Sequence, residues 1–246
     1  MILKKRCLIF TTTPPQLMHL KLDKNFMPKL NEYNSKIVEN CIGDSKAKKT
    51  FLDSLDKAKD VFHFTNADVK EIITAIAAEN KTRTPQKSID MFAEFIMDTK
   101  NNFWDRLKAG CSTLPDDLYN YVKRKANRKE KSLASKICRY LNDWVYNQMH
   151  YTVNDSFARG VLPYYLSLYN VDKDEWSKKV GKGRILKTFE DDEKPYETFI
   201  IAFKQLSKKV SNLTIHQIDH LLWYCFSNDG IRFELAKGIA IKKANE

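Results

Sequence analysis

Apolar residues along the chain recur mostly at steps of three and four, the spacing that gathers them on one face of an α-helix. Between about Lys46 and His63 the apolar positions are Phe51, Leu52, Leu55, Ala58 and Val61. Between Asn66 and Asn80 they are Val69, Ile72, Ile73 and Ile76, behind the helix start Thr65-Asn66-Ala67-Asp68. Pro85 introduces a further helix through Ile89, Phe92, Phe95 and Ile96, and a short turn, Phe103–Leu107, follows with Trp104. Leu114-Pro115-Asp116-Asp117 opens the next helix, with proline in the first turn and two acids at the positive end of the dipole. Leu118, Tyr121 and Val122 form its apolar side. Another helix is predicted from near Leu133, carrying Ile137, Tyr140, Leu141, Trp144 and Val145.

Tyr151-Thr152-Val153 reads as extended chain, and Asn154-Asp155-Ser156 as the start of a helix bearing Phe157, Val161, Leu162 and Tyr165. Residues 171–195 are polar, hold Gly181, Gly183 and the acidic run from Glu190 to Glu193, and read as a loop or an insertion at a domain edge. Helical spacing returns over roughly 196–210, 214–227 and 229–242. The pattern predicts a mainly α protein. With 246 residues and 43% hydrophobic content, it can bury a core as one body or as two small helical lobes around a cleft. Seven glycines and seven prolines, few for this length, fit that reading.

The five cysteines, Cys7, Cys41, Cys111, Cys138 and Cys225, are odd in number and scattered, which argues against a disulfide framework or a Cys-x-x-Cys motif. A reducing, cytoplasmic setting is the expectation. The apolar run near the start, before Thr11, is too short for a signal-peptide core, and no stretch has the length of a membrane span. The formal charge of +11, from 42 Lys and Arg against 31 Asp and Glu, favours a polyanionic partner, with nucleic acid ahead of an anionic membrane surface. No membrane partner is expected, and the chain reads as a monomer.

The charge is concentrated where two predicted helices meet: Lys123, Arg124, Lys125, Arg128, Lys129 and Lys131. A helix, a short basic turn and a second helix can bring backbone N–H groups and a helix N-terminus against a DNA phosphate. Lys136 lies one turn inside the second helix with Leu133, Ile137 and Tyr140 as neighbours. A partly buried lysine has a lowered pKa and becomes an amine nucleophile near neutral pH. Asp155, nineteen residues on, stands at the start of the next helix, where a carboxylate can cap the helix and face a cleft.

Ser132-Leu133-Ala134-Ser135-Lys136 followed by Val153-Asn154-Asp155-Ser156-Phe157 resembles the hairpin and catalytic-aspartate region of the helix–hairpin–helix DNA glycosylase superfamily, nearest to its 8-oxoguanine DNA glycosylase/AP lyase branch. The resemblance spans about 55 residues, Leu114 to Tyr169. It implies two lobes, one of residues 110–170 with the hairpin and the catalytic Lys136 and Asp155, the other of residues 1–109 and 171–246 with pocket-lining C-terminal helices. It also implies double-stranded DNA as partner, with Arg128, Lys129, Lys131, Ser132, Ala134 and Ser135 as the DNA-binding residues. The family's Gly-x-Gly hairpin core is replaced here by the small residues Ala134 and Ser135 next to Ser132 and Leu133. The four-cysteine cluster that some relatives carry is absent, so no iron–sulfur centre and no other cofactor is expected.

Cleaving a base from deoxyribose builds positive charge on C1′ and the ring oxygen, which a fixed carboxylate such as Asp155 stabilises. Attack by Lys136 on C1′ would give a Schiff base and open the way to strand cleavage; attack by water would leave an abasic site. An extruded base must also be held between apolar or aromatic surfaces. The candidates for that pocket are Trp104, Tyr151, Gln217, Asp219, His220 and Trp223, with Trp144, Tyr224 and Phe226 as further aromatics that more often serve the core. His216 and His220 have metal-ligand spacing but no Glu between them in a His-Glu-x-x-His arrangement and no evident third ligand, so no metal is expected. Gly181-Lys182-Gly183-Arg184 lacks the P-loop pattern. A DNA-binding protein that keeps the hairpin without catalysis is the alternative, and a helical protein whose basic surface meets another acidic partner is a third reading.

Overall fold

The computed structural model describes residues 30, 45–155, 158, 159, 162, 165, 166, 168–171, 195–210 and 212–226, the last with side chains to Leu222. Its described regular elements are helices: α1 Lys46–Ala58, α2 Asn66–Glu79, α3 Gln86–Met97, α4 Phe103–Lys108, α5 Leu114–Ala126, α6 Lys131–Tyr146, α7 Pro195–Lys209 and α8 Ile215–Phe226, with single 3₁₀ turns at Val61–His63 and Thr99–Asn101. The described positions between 158 and 168 are helical as well. The protein is therefore mainly α. Among the described residues, no helix is long and apolar enough to cross a membrane. The helical stretch expected over 229–242 lies outside the described residues, as do most of 171–195.

The helix starts follow from local chemistry. Thr65 and Asp68 form a reciprocal capping box at α2, the Thr65 side chain accepting from the Asp68 amide and the Asp68 carboxylate from the Thr65 amide. Ser45 caps α1 through the Lys48 amide at 3.0 Å. The single helix expected over 46–63 divides: Lys59 takes a left-handed conformation at φ 67°, and the Asp60 side chain then caps the 3₁₀ turn. Periodicity alone passes over such a break, because Ala58 and Val61 keep the three-residue step across it.

Helices α1, α2 and α3 pack in sequence, α3 lies on α5, and α5 packs on α6; α6 also packs on α2 and α4, while α7 lies on α5 and α8. The buried apolar side chains form one cluster that runs from Leu30 and Phe51 through Phe92, Leu118 and Ile137 to Phe203 and Leu222. This cluster crosses the boundaries expected near residues 109 and 170. Asp116, in the first turn of α5, is buried and accepts hydrogen bonds from the amides of Tyr196 and Glu197 at 3.0 and 3.1 Å, so it caps the start of α7 from across the core.

Between α6 and the next helical stretch the chain runs irregularly from Asn147 to Asp155, and side chains hold its backbone. Asn142 is buried, donates from Nδ2 to the Leu107 carbonyl at 2.9 Å and accepts the His150 amide at 3.0 Å. The Tyr151 hydroxyl lies 3.2 and 3.1 Å from the carbonyls of Arg106 and Cys111. Tyr196 Oη accepts the Thr152 amide at 3.0 Å. Gly110, at φ 67°, lies so close to His150 that a Cβ would fall 2.7 Å from the ring's Cγ, which is why this turn takes no side chain.

Replacing Asn142 by Ala removes both the partner of a buried carbonyl and the partner of the His150 amide. Urea denaturation should show a loss of about 2–4 kcal/mol with an unchanged m-value.

Candidate active site and nucleic-acid interface

The basic turn is built on an asparagine rather than a glycine. Asn127 closes α5 in the left-handed region at φ 52°, its amide donating to the Lys123 carbonyl, and residues 127–130 lead straight into α6. Arg128 and Lys129 are exposed, as are Lys123, Arg124 and Lys125 on the last turn of α5. Lys123 and Lys131 share the face of Tyr119, their Nζ atoms 5.8 and 5.5 Å from the ring centroid. Glu130 takes the N-cap position of α6 but makes no side-chain hydrogen bond to its first turn. Its carboxylate instead lies 3.7 Å from Arg128 Nε and accepts from the Thr84 hydroxyl.

Helix α6 begins at Lys131, two residues before the expected start, and this moves the candidate phosphate contacts. Ala134 and Ser135 are fully buried inside the helix. The Ala134 amide donates to the Glu130 carbonyl, and Ser135 Oγ donates to the Ser132 carbonyl while accepting the Asn154 amide at 2.9 Å. Neither residue presents a group to a phosphate, so they leave the expected DNA-binding set. Arg128 and Lys129 stay on the surface, and Lys131 and Ser132 lie half-buried at the helix start.

Lys136 occupies the next turn of α6 and is only 7% exposed. Burial pulls its pKa below the ordinary lysine value, opposed by the negative charges of Asp155 and Asp219. Among the described residues it forms no direct ion pair. The Asp155 carboxylate caps the following helical stretch by accepting the Ala158 amide at 2.9 Å. The hydrogen bond from Asn154 to Ser135 fixes the residue before Asp155 against the residue before Lys136. The structure thus brings the expected amine and carboxylate within electrostatic range of each other.

Asp219 joins them from α8. It is buried, accepts the Val153 amide at 3.3 Å and lies 3.9 Å from Arg139 Nε. Burial raises its carboxyl to about 6; Arg139 and the Val153 amide resist that shift and Asp155 adds to it. Arg139, one turn beyond Lys136 on α6, was not among the expected site residues. It is buried, its Nη1 stands 3.9 Å from Asp143, and its guanidinium carbon lies 4.8 Å from the Tyr140 ring centroid. Its Nη2 contacts His216 and lies 3.2 Å from His220 Nε2. Burial and the Arg139 charge hold the two imidazoles far below their usual range, His216 at about 2 and His220 at about 4. These histidines serve as acceptors for a guanidinium, and no group of three metal-binding side chains occurs among the described residues.

Three other expected pocket residues have structural duties instead. Trp104 is buried in the core against Phe64 and Phe103. Tyr151 is buried, with its hydroxyl bound to two backbone carbonyls. Gln217 caps α8: its Oε1 accepts the Thr214 amide at 2.9 Å while Thr214 Oγ1 accepts the Gln217 amide. Trp144 likewise belongs to an aromatic stack with Tyr140 and Phe51. Trp223, Tyr224 and Phe226 lie on α8 with side chains outside the described residues, and Gly181–Arg184 lie outside them altogether. Of the expected pocket residues with described side chains, Asp219 and His220 are the two that join the Lys136 cluster. Compared with known proteins, the chain matches no family model, no curated protein and no solved structure.

The buried groups give opposing pH dependences. His216 and His220 titrate below their ordinary 6.5, so the unfolded chain binds protons that the folded chain does not, and stability is lost as pH falls from 6.5 toward 4. Asp219 titrates above its ordinary 3.8, so its contribution is full below that value and is lost as pH rises through about 6. The double variant H216Q/H220Q should therefore gain stability relative to the native chain between pH 7 and pH 5, and D219N should lose it over the same interval. Urea midpoints at the two pH values check both signs.

Proposed function

We propose that the protein is a DNA glycosylase of the helix–hairpin–helix kind, with or without AP lyase activity, acting on a damaged or modified base in double-stranded DNA. The observation that carries this reading is a buried lysine of lowered pKa, Lys136, one turn inside the helix that follows an exposed basic turn, facing the charge of Asp155. A solvated structural lysine has no reason to lie at 7% exposure without an ion pair among the described residues. In this reading the hairpin of α5 and α6 engages the DNA backbone through Arg128, Lys129 and Lys131, and residues 110–170 form one wall of the cleft. The helices before and after it form the other wall, with Asp219 and His220 on α8 facing the base.

The chemistry follows from the charge that develops. As the glycosidic bond stretches, C1′ and the ring oxygen become positive, and the Asp155 carboxylate stabilises them without having to reorient, since the Ala158 amide already fixes one of its oxygens. Lys136, once deprotonated, attacks C1′ and expels the base; ring opening then gives a Schiff base from which the strand can be cut. An oxidised purine is one substrate class. A bulkier modified base of foreign DNA is another, and it would make the activity one of defence rather than repair.

Sodium borohydride trapping on duplexes with 8-oxoguanine, an abasic site or modified phage cytosines tests the reading. The native protein should give a covalent adduct that K136Q lacks, and D155N should release base about 10²–10³-fold more slowly. A K136Q protein that still forms the adduct would reject the assignment. The non-catalytic alternative predicts DNA binding with no base release by the native chain. Separately, R128Q/K129Q should weaken binding to all sequences alike and lower the slope of log K against log salt by about 2.

A further inference from the structure

The loop between α2 and α3, Asn80–Pro85, is held against α6 at two heights. Asn80 Oδ1 accepts the Tyr140 hydroxyl at 3.3 Å, and the Thr84 hydroxyl donates to the Glu130 carboxylate at 3.4 Å. Glu130 and Tyr140 are ten residues apart, about 15 Å along a helix axis, so the loop runs beside the first half of α6 in the reverse direction. Tyr140 follows Lys136 by four residues and shares its side of the helix. The loop therefore starts one turn beyond Lys136 and ends at the basic turn.

Lys81 and Arg83, alternate residues of this loop, are exposed and form no ion pair among the described residues. The neighbouring carboxylates are engaged elsewhere: Glu79 accepts the Ser45 hydroxyl and the Ala47 amide, Asp90 pairs with Lys70, and Glu130 takes Thr84 and Arg128. Lys81 also stands in the left-handed region, at φ 52°. Its amide donates to the Ala78 carbonyl at 3.1 Å and the Thr82 amide to the Ala77 carbonyl at 2.9 Å, the pair of bonds that turns a chain out of a helix end and for which glycine is the usual residue. A lysine at this position works against the backbone preference.

We infer that the Asn80–Pro85 loop is a second DNA-contacting segment, in which Lys81 and Arg83 bind phosphates of the same duplex that the basic turn engages. This rests on the reading of the partner as double-stranded DNA and extends its footprint along α6, from the basic turn toward Lys136. Phosphate contacts carry little sequence information but set where a duplex lies. Contacts at the basic turn alone leave the duplex free to pivot about that end of α6. A second pair of cations, on a loop tied to Glu130 and Tyr140, fixes its direction along the helix.

Fluorescence anisotropy of a labelled DNA duplex, titrated with the full chain between about 0.05 and 0.2 M salt, tests the inference. K81Q/R83Q should weaken binding at least about 10-fold at the lower salt and reduce the slope of log K against log salt by about 2, the share of two phosphate contacts. K57Q/K108Q removes the same charge elsewhere, from α1 and from the Tyr146 ring at the far end of α6, and should leave the slope within about half a contact of the native value. K81G separates a lost contact from a folding defect. With the left-handed position filled by glycine, its urea midpoint should equal or exceed that of the native chain while the slope still falls by about 1. A K81Q/R83Q slope no different from that of K57Q/K108Q, or a K81G slope equal to the native one, would overturn the inference and leave the glycosylase reading standing. The slopes are read from binding alone, so a native chain that binds duplex without releasing base would lose the glycosylase reading and keep this one. A native chain that binds no duplex would lose both.

Discussion

The structure around the candidate site depends on how a short piece of irregular backbone finds partners inside a helical protein. From His150 to Asn154 the chain has no neighbouring strand among the described residues, yet its amides pass through the interior. Four of them are met by side chains: Asn142 for His150, Tyr196 for Thr152, Asp219 for Val153 and Ser135 for Asn154. Two of those side chains belong to α6, one to α7 and one to α8. The same four bonds that satisfy the backbone therefore fix the three helices relative to one another and deliver Asp155 to its position near Lys136.

This arrangement explains why so many charged and polar groups are tolerated out of water. Lys136, Arg139 and Asp219 are each more than nine-tenths buried. A single buried charge costs several kcal/mol in effective desolvation, on the order reached even after relaxation. Here the guanidinium has two carboxylates near 4 Å and two imidazole acceptors, and Asp219 has a guanidinium and an amide. Lys136 alone among the three is left without a direct partner among the described residues. Burial pushes that amine toward its neutral form, against the pull of Asp155 and Asp219.

Much of the helical framework could be read from spacing, because a 3.6-residue period needs only local information. The two helices on either side of the exposed basic turn were legible for a similar reason, since both lie within about thirty residues around that turn. What could not be read were contacts between distant positions: Asp219 with Val153, Arg139 with His216, and Asp116 with the start of α7. Arg139 gives no sign in the sequence that it turns inward, as a charged residue at a helical step beside Tyr140 is usually solvated. Gln217 is different. Thr214-x-x-Gln217 is a capping pattern complete within four consecutive residues, so its role at the start of α8 was available to local reasoning. The shift of the α6 start from Leu133 to Lys131 was lost because Asn127, rather than a glycine, ends the preceding helix.

Asp116 carries a consequence for how such a chain can change over evolutionary time. Because its carboxylate seizes the first amides of α7 from the far side of the interior, α7 and the α8 behind it are docked by a clasp eighty residues upstream. The connecting segment before Pro195 is thereby relieved of the task of aiming those helices. Since the entropic cost of closing a loop grows only logarithmically with its length, insertions in the sequence before Pro195 cost little as long as the Asp116 clasp holds the start of α7.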